Sequence, residues 1–151
     1  MNPRLGVLLK AVLVCAAVIA LDQLTKGIVR EQIARGDQIE VLPFLDFTNT
    51  RNDGVAFGIA GDVSPVLIGV AIALLVGLLG FLSLRKHATP MIWLPAGLLV
   101  GGALSNLADR VREGAVTDFI DFPAWPTFNV ADMAIVVGVV LLVLLPERHR
   151  R

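Results

Sequence analysis

Four stretches of the chain are each apolar over a length that suits a lipid bilayer, and this constrains the fold more than any motif. They run roughly from Leu5 to Leu21, Ser64 to Leu84, Met91 to Ala108 and Val130 to Leu145. A hydrocarbon core of about 30 Å takes roughly 20 helical residues at about 1.5 Å each. The first and last runs are slightly short, so each is expected to recruit polar neighbours as helix near the interface: Asp22 to Ile28 after the first, and Asn129 before the last. The composition agrees, with 56% hydrophobic and only 17% charged residues, a balance that a soluble domain rarely shows. The expected architecture is therefore an α-helical polytopic membrane protein. It forms a single domain over 1–151, with transmembrane helices at about 5–28, 64–84, 91–108 and 129–145.

The first run, with Arg4 and Lys10 ahead of its apolar core, also fits a secretory signal. Leu13 and Val14 stand just before Cys15, where a lipoprotein-type cleavage site needs small residues, and three spans follow. An uncleaved first helix is the expectation. The single cysteine excludes an intramolecular disulfide. Both histidines, His87 and His149, lie in basic segments, so no metal site and no cofactor are expected.

Charge orients the chain. Arg4, Lys10, Arg85, Lys86, Arg148, Arg150 and Arg151 gather on the N-terminus, one short link and the tail, with Glu147 as the one acid among them. The other links and helix ends hold the remaining six basic residues and twelve acids. Basic residues crowded onto short segments mark the cytoplasmic side, so both termini are expected there. Two longer links, at about 29–63 and 109–128, then face the periplasm. The first contains "QIEVLPFLDFTNT", whose β-favouring residues suggest a small sheet on the membrane surface, with Pro43 confining any strand to an edge. "RNDGVAFGIAGD" adds turn chemistry and a flexible stretch from Gly58 to Gly61.

Several polar residues occur where they are costly. Asp22 and Lys26 of "DQLTK" are four apart and can pair on one helix face; read alone, they are an interfacial anchor that snorkels to water. In "GGALSNLADR", Gly101, Gly102 and Ser105 offer a small-residue surface for close helix packing. Asn106 and Asp109 share a face, and the Asn106 amide lies about one turn deeper, where it needs a partner. Asp118 and Asp121 sit in the apolar setting "VTDFIDF". Asp132 lies one turn into the last helix, where by itself it reads as a first-turn acid with Asn129 as N-cap. Helix chemistry alone does not account for ionisable groups from three spans meeting at one membrane face. Two aspartates within hydrogen-bonding range share one proton, and so make an acid and a base together. The residues themselves leave open which two of Asp118, Asp121 and Asp132 form the pair. A proton-coupled transporter would need ionisable groups on a path to both faces, and a purely structural subunit would tolerate Asp-to-Asn changes.

The motifs "DQLTK" (22–26), "RNDGVAF" (51–57), "GGALSNLADR" (101–110), "VTDF" (116–119) and "FNVAD" (128–132), in this order between four spans, resemble those of the lipoprotein signal peptidases, or signal peptidase II family. The resemblance implies an aspartic endopeptidase of the bacterial inner membrane. Such an enzyme removes signal peptides from diacylglyceryl-modified prolipoproteins, cutting just before the lipidated cysteine. It implies Asp118 and Asp132 as the catalytic pair, leaving Asp121 outside. Supporting or substrate-binding roles fall to Asp22, Lys26, Asn52, Gly54, Ala56, Phe57, Asn106, Asp109, Arg110 and Asn129. Within that set, Asn52, Asn106 and Arg110 are expected to bind substrate carbonyls, Asp22 and Asp109 to hold polar side chains, and Asn129 to orient Asp132 or the water. Ser105 departs from the family's more usual glycine, and its hydroxyl is expected to bond back along its own helix. The 54–61 segment is expected to act as a flap. The expected partners are the prolipoprotein and membrane lipid, with no nucleic acid, and the protein is expected to be a monomer.

Overall fold

The computed structural model describes residues 3–53 and 90–145. The expected second span, the flap, and Gly54, Ala56 and Phe57 lie outside the described residues.

Helix α1 runs Pro3–Gln32, 30 residues, or about 45 Å. It extends beyond the expected end near Ile28 because Val29 and Ile33 are buried in a core with Phe119 of the sheet. Its exposed apolar surface includes Leu5, Leu8, Leu13, Leu21 and Leu24, all about half-exposed or more. Among the described residues it is the one helix long and apolar enough to cross a membrane by itself. Helix α2 spans Trp93–Glu113 and so carries Asp109 and Arg110 within it, not in the following link. It closes on Gly114, whose φ of 77° is left-handed and whose N–H bonds to the Arg110 carbonyl, a termination that suits glycine. Helix α3 covers Val130–Leu144, 15 residues that are apolar apart from Asp132 and capped by Asn129.

The three helices pack through glycine. A Cβ on Gly101 would stand 2.9 Å from the Cys15 carbonyl oxygen of α1, and one on Gly102 would stand 2.5 Å from the Ala131 carbonyl oxygen of α3. One glycine pair thus brings α2 against both neighbours, as small-residue seams do in membranes.

"QIEVLPFLDFTNT" folds as a hairpin: β1 Gln38–Leu42 and β2 Leu45–Asn52, joined at Pro43 and Phe44. A third strand, β3 Val116–Asp121, completes an antiparallel sheet of order β1-β2-β3. β3 went unassigned in the sequence, although Val116, Thr117, Phe119 and Ile120 favour strand. A register shift between Phe47 and Thr50 sets Thr50 opposite Asp118 and Asn52 opposite Val116. The sheet is fastened to the end of α1 by a core of Val29, Ile33 and Phe119, with Phe47, Ile120 and Val130 against it. Phe47 meets Phe119 edge to face at 6.0 Å. This packing holds β3 where α1, α2 and the start of α3 converge.

Candidate active site

Asp118 and Asp132 reach a common cluster by different local routes. Residues alternate in direction along a strand, so Asp118 and Asp121, three apart on β3, face opposite sides. Asp118 is turned inward and is 2% exposed. Asp121 stands opposite Asp46 on the neighbouring strand, outside the cluster. Asp132 is the third residue of α3 and closes a capping box with Asn129: the Asn129 Oδ1 accepts the Asp132 N–H at 3.0 Å, and the Asn129 N–H donates to Asp132 Oδ2 at 3.3 Å. A capping box ordinarily satisfies a helix start and nothing more.

Here the cap residue does more. The Asn129 side-chain amide, itself fully buried, donates to Asp118 Oδ1 at 2.6 Å. One asparagine therefore bonds to both aspartates. The second oxygen of Asp118 accepts from Asn52 Nδ2 at 2.8 Å, and Oδ1 of Asp132 accepts from Asn106 Nδ2 at 2.7 Å.

Burial pushes the Asp118 carboxyl above its ordinary range. The Asn52 hydrogen bond opposes this, the negative charge of Asp132 adds to it, and the Asn129 amide and the Lys26 charge act to lower it. The net effect favours the protonated acid. Asp118 lies on a strand outside the spanning helices, beside a second carboxylate whose charge it senses.

Beneath the two aspartates lies a buried ion cluster. Lys26 Nζ is within 2.7 Å of Asp22 Oδ2, 2.8 Å of Asp109 Oδ2 and 2.9 Å of Asn106 Oδ1, so each of its three N–H donors has an acceptor. Asp22 and Lys26 do pair, as their spacing anticipates. They are fully buried, however, and not the water-facing anchor that either residue suggests alone. Each carboxylate also holds backbone next to a site aspartate. Asp22 Oδ1 accepts the Ala131 N–H at 2.8 Å, and Asp109 Oδ2 takes the Thr117 N–H at a longer 3.5 Å. Lys26 thereby ties together the supports of β3 and α3.

Gln23 has no expected role in the sequence, and Ser105 takes a different one from that expected. Gln23 donates to Asp109 Oδ1 at 2.8 Å and to Ser105 Oγ at 3.0 Å. Ser105 sends its hydroxyl across to Asp22 Oδ2 at 2.7 Å, not back along its helix, because a buried carboxylate is the stronger acceptor. Asn106 is engaged within the network by Lys26, Asn129 and Asp132, which leaves its amide less suited to a substrate carbonyl. Arg110 is half-buried and makes no hydrogen bond or ion pair with the described residues.

Helices with apolar outer faces, a buried polar cluster and a small sheet at one end recur in structures described as bacterial membrane enzymes. Two solved structures described in those words match the chain. One superposes with a TM-score of 0.79 at 35% identity, covering 89% of this chain and 90% of its own; the other gives 0.77 at 33% identity, covering 93% and 94%. Residues 14–146 match the model of the signal peptidase (SPase) II family. Relatives described as lipoprotein signal peptidases include one from Moorella thermoacetica, 38% identical over 89% of this chain and 92% of its own length. Another, from Coxiella burnetii, is 42% identical over 84% and 83%. The chain belongs to the signal peptidase II family.

Proposed function

We propose that the chain removes signal peptides from diacylglyceryl-modified prolipoproteins, cutting just before the lipidated cysteine, with Asp118 and Asp132 as the catalytic pair. The observation that carries the assignment is the double engagement of Asn129, which bonds to both carboxylates from within a buried network.

In this reading Asp118 holds the shared proton, since burial and the Asp132 charge both favour its neutral form. Asp132, held by the N–H groups of Asn106 and Asn129, takes a proton from water as the water oxygen attacks the scissile carbonyl carbon. Asp118 gives its proton to the carbonyl oxygen. The resulting diol collapses with cleavage of the C–N bond. Asp132 passes the water's proton to the leaving nitrogen, and Asp118 recovers its own from a diol hydroxyl. Asn52, beside Asp118 on the exposed end of β2, and the Arg110 guanidinium are suited to hold the substrate backbone.

The four-span count, with both termini cytoplasmic and the site toward the periplasmic side, belongs to the same proposal, as do a single domain over 1–151 and a monomeric enzyme. The charge distribution along the sequence supports it. Residues 93–105 of α2 and 133–144 of α3 contain no ionisable side chain, which disfavours a proton path along either helix. A lipid-anchored substrate brings its scissile bond to the membrane surface, where acids at the helix ends would meet it.

The test of substrate class is incubation of the purified chain with a prolipoprotein carrying or lacking its diacylglyceryl group, with the product identified by mass spectrometry. Cleavage is expected of the lipidated form alone, giving a product that begins at the lipidated cysteine. Cleavage elsewhere, or equal cleavage of both forms, would overturn the assignment.

A further inference from the structure

Outside the aspartate cluster, a cavity of about 260 Å³ opens where the end of α1, the end of α2 and the sheet meet. Three arginines from three separate segments line it: Arg30 in the last turn of α1, Arg35 in the turn before β1, and Arg51 on β2. Glu113 is the one acid in the lining, so the walls carry an excess of two positive charges.

The arginines stand on fixed supports. Arg30 is half-buried and donates to the buried Thr117 hydroxyl at 3.3 Å. The turn carrying Arg35 is pinned by the Gly36 N–H on the Asn49 carbonyl at 3.0 Å and by the Asn49 side chain on the Ile33 carbonyl at 2.8 Å. Arg51 bonds to the Glu113 carbonyl and to Asp53. Complementing a helix dipole would explain Arg30 in its last turn. It does not explain Arg35 and Arg51, which belong to no helix and line the same hollow. Among the described residues, neither Arg30 nor Arg35 has a carboxylate partner.

Depth decides the class of anion. A helix of 30 residues is about 45 Å long, close to the full thickness of a bilayer with its headgroups. The last turn of α1, and the cavity beside it, therefore lie at headgroup level whichever way the chain is oriented. Guanidinium groups match phosphate oxygens in geometry as well as charge, and Lys/Arg side chains close to the membrane surface are drawn to anionic lipid.

We propose that the Arg30–Arg35–Arg51 cavity binds the phosphate of an anionic phospholipid headgroup, fastening the sheet to the membrane surface. The net positive lining selects a headgroup without a compensating ammonium.

The experiment places the full chain in nanodiscs of equal phosphatidylglycerol and phosphatidylcholine and reads the lipids retained by native mass spectrometry. The wild type should retain phosphatidylglycerol preferentially. Arg30→Gln and Arg35→Gln should each lower that preference roughly five-fold, as expected for one cationic group near the surface. Arg112→Gln, an exposed arginine of the same region outside the cavity lining, should leave it unchanged. Prolipoprotein cleavage by Arg35→Gln, an exposed turn position, confirms that this variant is folded. Equal retention of the two lipids by the wild type would overturn the proposal, and so would an Arg112→Gln loss as large as that of Arg35→Gln. Displacement of the lipid by millimolar inorganic phosphate or glycerol phosphate would also overturn it, by making the cavity a site for free phosphate.

Discussion

Asn129 donates its side-chain amide to Asp118 at 2.6 Å while its side-chain oxygen caps the helix that carries Asp132. Fold and chemistry meet in this residue. Its carbonyl oxygen satisfies the helix start, as any good N-cap does, and its Nδ2 reaches a second carboxylate that a cap does not require.

That dual role can be split by substitution. Serine is as good an N-cap as asparagine but is too short to reach Asp118. Asn129→Ser is therefore expected to keep thermal stability within about 1 kcal/mol while lowering kcat on the order of 100-fold, the scale of a disturbed acid–base pair. Thermal unfolding in detergent and a cleavage assay on the same sample check this. Loss of stability in step with activity would reduce Asn129 to a structural cap.

The Lys26 ammonium, fully buried among Asp22, Asp109 and Asn106, should tolerate neutralisation poorly. Lys26→Met leaves two buried carboxylates without their shared cation, and removing one partner of a buried ionic group costs about 3–5 kcal/mol. The double variant Lys26→Met with Asp109→Asn should recover part of that loss by removing one of the stranded charges. Unfolding midpoints of the two variants test the ordering.

The Asn52 hydrogen bond stabilises the charged form of Asp118 and so lowers its pKa, against the upward push of burial. With that bond gone, in Asn52→Ala, Asp118 should hold its proton to higher pH. Since the proposed mechanism uses neutral Asp118 as the acid, the basic limb of the kcat/KM profile should move to higher pH. A limb that stays in place, or moves down, would mean that another group sets it.

Gly102 allows the backbones of α2 and α3 to meet beside the first turn that bears Asp132. The added methyl of Gly102→Ala would lie 2.5 Å from the Ala131 carbonyl oxygen, so the helices must separate, at about 1–3 kcal/mol. We expect a lower unfolding midpoint together with a larger fall in kcat than in 1/KM, since the shift moves Asp132 relative to Asp118.

How much of this was legible in the sequence depended on range. Asp22 and Lys26 advertise their contact because helical spacing alone brings residues four apart together, and Asn129 with Asp132 reads as an N-cap followed by a first-turn acid. The convergence of the polar motifs came from counting spans and from resemblance, not from any local rule. Gln23 went unnoticed because its partners, Ser105 and Asp109, are 82 and 86 residues away, and nothing beside it in the chain hints at them. The Ser105 hydroxyl was assigned to its own helix because the local acceptor is visible in sequence and the Asp22 carboxylate across the interface is not. Strand β3 hid behind its aspartates, which depress strand propensity and are there for the chemistry of the site.

The pairing of Asp118 with Asp132 is tested most directly by turnover of diacylglyceryl-prolipoprotein by the variants Asp118→Asn, Asp132→Asn and Asp121→Asn, each with its unfolding midpoint recorded. The account predicts that the first two stay folded and each lose on the order of 10³-fold or more in kcat, while Asp121→Asn cleaves at close to the wild-type rate. Near-normal turnover by a folded Asp118→Asn or Asp132→Asn would contradict it, as would an Asp121→Asn loss as deep as theirs.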